Sequence, residues 1–262
     1  MRPLTLLSWL TLISSPITFG AAIPADETRQ PVVVELFTSE GCSSCPPADA
    51  LLQKLDQTQP VPGAFVIVLS EHVDYWDRLG WKDPFSSPLY SRRQEAYVRR
   101  LRLESAYTPQ VVIDGNSEAV GSDAGKIQEA IRKSLAGERY RVEITPVFRN
   151  DRGTPEVHIQ VETPQKPAQR EGRLMIALAE NSAVSDIRRG ENQGRRLSHV
   201  AVVRSLIDFG RIEPSGRFSA DVPLTGELAN WEGKRFIAFV QGQQYGRIQG
   251  AAVRLLSAAV SK

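Results

Sequence analysis

Pro31-Val32-Val33-Val34-Glu35-Leu36-Phe37-Thr38-Ser39-Glu40-Gly41-Cys42-Ser43-Ser44-Cys45-Pro46-Pro47-Ala48-Asp49 is the stretch whose reading decides the fold. Val32 to Phe37 is an apolar run of the kind a buried strand needs. A polar turn follows, then the chain's two cysteines, then Ala48, Leu51, Leu52 and Leu55 at helical spacing. Strand, turn, dithiol and helix is the layout of a redox site. The turn brings the sulfurs together, and a helix N-terminus favours thiolate over thiol. Thiolate is the species that exchanges disulfides. The Ser43 and Ser44 hydroxyls can donate to a thiolate and lower its pKa. Pro46 and Pro47 lack N–H groups, and Pro46 biases Cys45 away from helical dihedrals. The helix is therefore expected to begin at Pro46, with Cys42 farther from the dipole.

Other readings of the pair stay open behind the redox one. Half of a zinc site needs further ligands, and His72, His158 and His199 lack the HxxxH spacing that would supply them. A structural bridge between neighbours closes a tiny loop and restrains the unfolded chain little.

Outside this stretch, Met1-Arg2, the apolar Leu4 to Phe19 and the small residues Gly20-Ala21-Ala22 read as a signal peptide over residues 1–22. The apolar part falls short of the roughly 20 residues that span a bilayer, so a cleaved leader is expected and no stable membrane insertion afterwards. Export, periplasmic or secreted, would put the cysteines where disulfides persist. Lys and Arg total 32 against 30 Asp and Glu, which gives no field for nucleic acid. A hydrophobic content of 41% is enough for a packed core. Arg92-Arg93, Arg99-Arg100 and Arg102 read as the solvated face of a helix.

Strand-like Ala64 to Leu69 precedes Glu71 to Phe85, an aromatic and polar stretch containing Trp76 that reads as a functional surface loop. Pro88 to Leu103 has helical periodicity, with Tyr90, Tyr97 and Leu101 on one side. Gln110 to Ile113 is strand-like, Asp114-Gly115 signals a hairpin to Glu118–Val120, and Asp123 to Leu135 is helical. Beyond Gly137 the texture changes to short strand-like runs at 140–148, 156–162, 173–179, 199–207, 217–222 and 235–240. The expected fold is an α/β domain over residues 30–136 followed by a mostly β, sandwich-like domain over 137–262. Asn181 to Ser198, with Arg188, Arg189, Arg195 and Arg196, reads as a long functional loop ending at His199. A lone histidine of this kind is more often structural than ligating.

The βα-βα-ββα order of the first half resembles the thioredoxin core. Within that resemblance, Thr108-Pro109 before the third strand resembles the cis-proline element facing the CxxC. Glu35 resembles the buried proton-handling acid, with one extra residue before the first cysteine; an acid paired with an arginine is the equal alternative. The segment from Glu35 to Asp49 also resembles the signature of an uncharacterised bacterial secreted family with a thioredoxin-like fold, catalogued as a domain of unknown function. Tyr107 to Gly115 and Gly190 to Val200 resemble its second and third motifs.

On these readings the protein is expected to be an exported thiol–disulfide oxidoreductase acting on protein or small-molecule thiols and disulfides, without cofactor or metal. Cys42, as the more exposed cysteine, attacks; Cys45 resolves; Pro109 and Glu35 assist. Thr108, Trp76, Arg195, Arg196 and His199 are the candidate substrate contacts. The alternatives are a copper-binding or metallochaperone module using the same cysteines with His72 or His199, and a non-catalytic interaction protein.

Overall fold

Strand β1 (Gln30–Thr38) carries the Val32–Phe37 run and is flanked on both sides by other strands. Its side chains alternate between faces, so Val32, Val34 and Leu36 point one way and Val33, Glu35 and Phe37 the other. All six are fully buried. The computed structural model describes residues 29–164, 171–213 and 217–257; the expected signal peptide lies outside the described residues.

From β1 the chain enters helix α1 (Pro46–Thr58), strand β2 (Ala64–His72), a 3-10 turn (Asp77–Leu79), helix α2 (Pro88–Leu101), strands β3 (Gln110–Ile113) and β4 (Ser117–Val120), and helix α3 (Ala124–Ser134). β1 and β2 pair in parallel, while β3 runs antiparallel to β1 and forms a hairpin with β4. The hairpin turns on Asp114 (φ 47°) and Gly115 (φ 61°), the left-handed pair that a tight hairpin requires. Helix α2 starts at a cap in which Ser87 Oγ accepts from Leu89 N, with proline in the first turn.

The remaining strands are β5 (Arg141–Ile144), β6 (Phe148–Arg149), β7 (Pro155–Glu162), β8 (Gly172–Asp186), β9 (Arg196–Ile212), β10 (Arg217–Pro223), β11 (Lys234–Gly242) and β12 (Ile248–Leu255). Four of these extend the first sheet, giving the eight-stranded order β12-β11-β8-β9-β2-β1-β3-β4. Residue 137 is therefore not a break in the sheet, because β9 pairs alongside β2 at Ser70 and Val202. The sheet curls until β12 lies near β1 and β2, where Ile248 N donates to Asp114 O at 2.8 Å.

A second sheet, β10-β7-β5 with β6 beside β7, packs on β8 and β11. Alternation divides β8 between two cores. Leu174, Ile176 and Leu178 meet Val157, Ile159 and Val161, whereas Ala177 and Ala179 join the core around β1. The architecture is thus mixed α/β with a large sheet and mostly β content.

Sequence and structure differ at three elements. The 140–148 run is divided by Pro146, which cannot donate to a ladder. β12 lacks a strong strand signal because it is built of Gly250, Ala251 and Ala252. Gly250 is needed there, since a Cβ would sit 2.3 Å from the Tyr140 carbonyl oxygen. Arg93, expected on a solvated helix face, is 2% exposed and faces the sheet.

Candidate functional site

Cys42 and Cys45 form a disulfide, with their Cα atoms 5.4 Å apart. The turn is built from Cys42 N donating to Ser39 O at 3.2 Å and Cys45 N donating to Cys42 O at 3.2 Å. Helix α1 begins at Pro46 as expected, but Cys45 is not pushed out of helical dihedrals: φ is −78° and ψ −36°. Its carbonyl already accepts from Ala48 N and Asp49 N at 2.8 and 3.1 Å, so the first turn of the helix holds it there. Ser44 Oγ lies 3.3 Å from Cys42 Sγ.

Exposure does not rank the two cysteines, because both are 0% exposed. Two structures cover them. Trp76 packs on the turn closely enough that a Cβ on Gly41 would be 3.1 Å from Trp76 Cβ. Its indole N–H donates to Thr108 Oγ1 at 2.8 Å, which joins the turn to the cis Thr108-Pro109 bond. Pro109 and the start of α1 both pack against Gly121, where an added Cβ would be 2.9 Å from Ala48 Cβ and from Pro109 Cβ.

The second cover is the connection between β8 and β9. Asn181–Asp186 and Arg196–Ser198 belong to the strands of a long hairpin, so the loop is only residues 187–195. It bends over the dithiol. Asn192, itself fully buried, donates through Nδ2 to Glu40 O at 2.8 Å and to Cys42 O at 2.9 Å. Ser43 N donates to Glu191 Oε2 at 3.1 Å, and hydrogen bonds from Ser43 hold that carboxyl below its usual range. Arg195 steadies the loop by donating to Asn192 Oδ1, whereas Arg196 pairs with Asp186 where the strands enter the loop. Asn192 lies inside the third quoted motif but carries no signal of its own as a lone amide.

His199 is buried beneath this loop. Its Nε2 is 3.3 Å from Glu40 Oε1 and its Nδ1 is 3.6 Å from Asp49 Oδ1, ion-pair contacts without hydrogen-bond alignment. Burial pulls the imidazolium pKa down, but the Asp49 and Glu40 carboxylates outweigh it and push it up to about 10. His72 stands edge-to-face against His199 with ring centroids 4.7 Å apart, and its Nδ1 is 2.7 Å from Asp83 Oδ2. Glu40 N donates to the same Asp83 oxygen, and Trp81 Nε1 donates to Glu40 Oε2. Burial raises the Asp83 carboxyl, but His72 and the backbone N–H groups of Glu40 and Phe85, which donate to it, bring it below the usual range. Glu71, His72 and Asp83 are therefore interior groups, although their stretch reads as a surface loop. Among the described residues no group of three or more His, Cys, Asp or Glu side chains has a metal-holding geometry.

Glu35 lies apart from the dithiol. Leu36 packs toward α1, so its neighbour Glu35 faces α2 on the other side of the sheet. There it accepts from Arg93 Nε at 2.5 Å and Tyr97 Oη at 2.6 Å. Arg93 also donates to Gln241 Oε1 at 3.1 Å and lies 3.6 Å from Glu71 Oε1. Burial, then repulsion from Glu35, drives the Glu71 carboxyl well above its usual range against the pull of Arg93. Of the two sequence readings of Glu35, the geometry is that of an acid paired with an arginine.

The chain belongs to the DUF1223 family of proteins of unknown function, whose model matches residues 33–241. No curated protein matches it. It is similar to the crystal structure of protein AGR_C_4864 from Agrobacterium tumefaciens, with a TM-score of 0.68 and 26% identity over 88% of this chain and 96% of that one. It also shares a fold with HBP35 of Porphyromonas gingivalis, with a TM-score of 0.59 and 16% identity over 89% of this chain and 79% of that one. Among the described residues no helix is long and apolar enough to cross a membrane.

Proposed function

We propose that the protein is an exported, periplasmic or secreted thiol–disulfide oxidoreductase with a thioredoxin-like first half, and that Cys42 and Cys45 are its redox couple. The observation that carries this reading is the disulfide closed across the N-terminus of α1. The element order β1-α1-β2-α2-β3-β4-α3 and the place of Pro109 beside that helix support the thioredoxin-like part.

The chemistry is reversible exchange. A substrate thiolate bonds to Cys42 Sγ, the Cys42–Cys45 bond breaks, and the electron pair leaves on Cys45 Sγ. A second substrate thiolate then releases Cys42 and takes the disulfide away, leaving the protein as a dithiol. In reverse, the Cys42 thiolate attacks a substrate disulfide and Cys45 resolves the mixed intermediate. Assigning attack to Cys42 is supported by Ser44 Oγ at 3.3 Å, a donor placed to stabilise a thiolate there. The partners are protein or small-molecule thiols and disulfides, and Trp76, Thr108 and Arg195 border their approach.

Trapping tests the assignment. Cys45→Ser is expected to accumulate mixed disulfides through Cys42, identified by mass after alkylation, and Cys42→Ser is not. Equal trapping by both variants, or by neither, contradicts it.

A further inference from the structure

We propose that Asp49 and His199, completed by Glu40, form a buried proton relay that serves Cys45. The inference rests on the redox reading above and goes beyond it, since the resemblance gave proton handling to Glu35, which α2 instead ties to Arg93.

Geometry makes the case. Cys45 and Asp49 are one helical turn apart, with Asp49 N donating to Cys45 O at 3.1 Å. Residues so spaced share a helix face, about 5–6 Å apart at Cβ. Both are interior, at 0% and 5% exposure. Beyond Asp49 stands His199, and beyond that Glu40, two residues before Cys42. Glu40 Oε1, Asp49 Oδ1 and both His199 ring nitrogens are buried without a hydrogen-bond partner. Buried polar atoms are nearly always satisfied, and an exception needs a reason. At 3.3 and 3.6 Å these atoms are a small side-chain rotation from the hydrogen bonds along which a proton moves, and such contacts are often long in a resting site and tighten when the chemistry begins.

The groups facing His199 are Glu40 from the turn, Asp49 from α1, and His72 from β2 with Asp83 behind it. Arg204, on β9 itself, stacks on Phe85, whose ring centroid is 6.0 Å from that of His199. The two carboxylates in direct contact keep the imidazole protonated at neutral pH, so the relay starts loaded.

When an incoming thiolate bonds to Cys42 Sγ and the disulfide breaks, Cys45 Sγ leaves with the electron pair. The His199 proton then moves by way of the Asp49 carboxylate to that sulfur, leaving a neutral imidazole and a Cys45 thiol. In the reverse direction Cys45 returns its proton to the same group as it attacks the mixed disulfide. One proton is exchanged for one sulfur charge, and the substrate thiol is the only reductant.

The test is an NMR titration of His199 in the full chain, oxidised and then chemically reduced. The His199 midpoint is expected to move by about one pH unit or more on reduction, as coupled sites require, and Asp49→Asn is expected to abolish that movement. Resolution of a mixed disulfide at pH 7 is expected to slow about tenfold in Asp49→Asn and His199→Gln, a loss of about 1.4 kcal/mol in transition-state stabilisation. Asp56→Asn, farther along α1, is expected to leave the rate unchanged. An unmoved His199 midpoint in the wild type overturns the relay without recourse to any variant. A wild type whose disulfide exchanges with no thiol overturns the redox reading, and the relay with it.

Discussion

Two buried polar networks flank the central strands, and they are finished differently. On the α2 side, Arg93 gathers Glu35, Tyr97 and Gln241 into direct hydrogen bonds at 2.5–3.1 Å. On the α1 side, His199 lies between two carboxylates at 3.3 and 3.6 Å with neither ring nitrogen hydrogen-bonded. The first arrangement fixes helix to sheet. The second leaves the imidazole without an aligned hydrogen bond, and its Asp49 lies one helical turn from Cys45. A buried acid on the expected strand is thus less informative than the question of what already holds it.

The contrast is broken most forcefully at Arg93. Arg93→Met leaves Glu35 and Glu71 buried without their cation, and removing one partner of such a pair costs about 3–5 kcal/mol. Urea unfolding should show that loss, and adding Glu35→Gln should recover part of it. A loss under about 1 kcal/mol would mean that the network carries little charge.

His199 gives the next largest effect, with a sign that pH reveals. Its folded-state pKa of about 10 lies above the ordinary 6.5. Its contribution to stability is therefore full below pH 6.5 and is lost as pH rises toward 10. Subtracting the stability profile of His199→Gln from that of the wild type should leave a difference that declines by a few kcal/mol over this window. A flat difference would show that the carboxylates do not hold the proton.

Asn192→Ala probes the cover rather than the networks. Loss of three side-chain hydrogen bonds, two donated to the turn and one accepted from Arg195, should cost about 1–3 kcal/mol. Reduction of the disulfide by dithiothreitol should nevertheless accelerate severalfold, because Asn192 ties the loop to the Cys42 carbonyl beside the two buried sulfurs. Unchanged reduction kinetics would mean that access comes from the Trp76 side. Ser44→Ala is the mildest test, with an expected drop of about twofold in the Cys42 exchange rate from the loss of one weak donor.

Much of this was legible from residue pattern. The Val32–Phe37 run, the Pro46 helix start and the Asp114-Gly115 turn are local features, and local chemistry settles them. β12 was not legible, because its small residues give little strand signal and its Gly250 answers a steric demand from Tyr140 that no window of sequence contains. The burial of Arg93 is hidden for a related reason. An arginine beside another arginine looks solvated until a partner 58 residues away is brought to it. Likewise Glu40 and Asp49 sit in the motif itself, yet nothing nearby links them to His199. The 181–198 stretch reads as one long loop because polar residues also fill the exposed ends of paired strands, which leaves residues 187–195 as the loop itself.

A reduction potential distinguishes a working Cys42–Cys45 redox couple from a structural staple. The folded protein should equilibrate reversibly with defined glutathione or dithiothreitol buffers. Mass analysis after alkylation should show a single two-electron transition, and circular dichroism should show the fold intact in both forms. A disulfide that opens only when the protein unfolds would contradict the account and make the bridge structural.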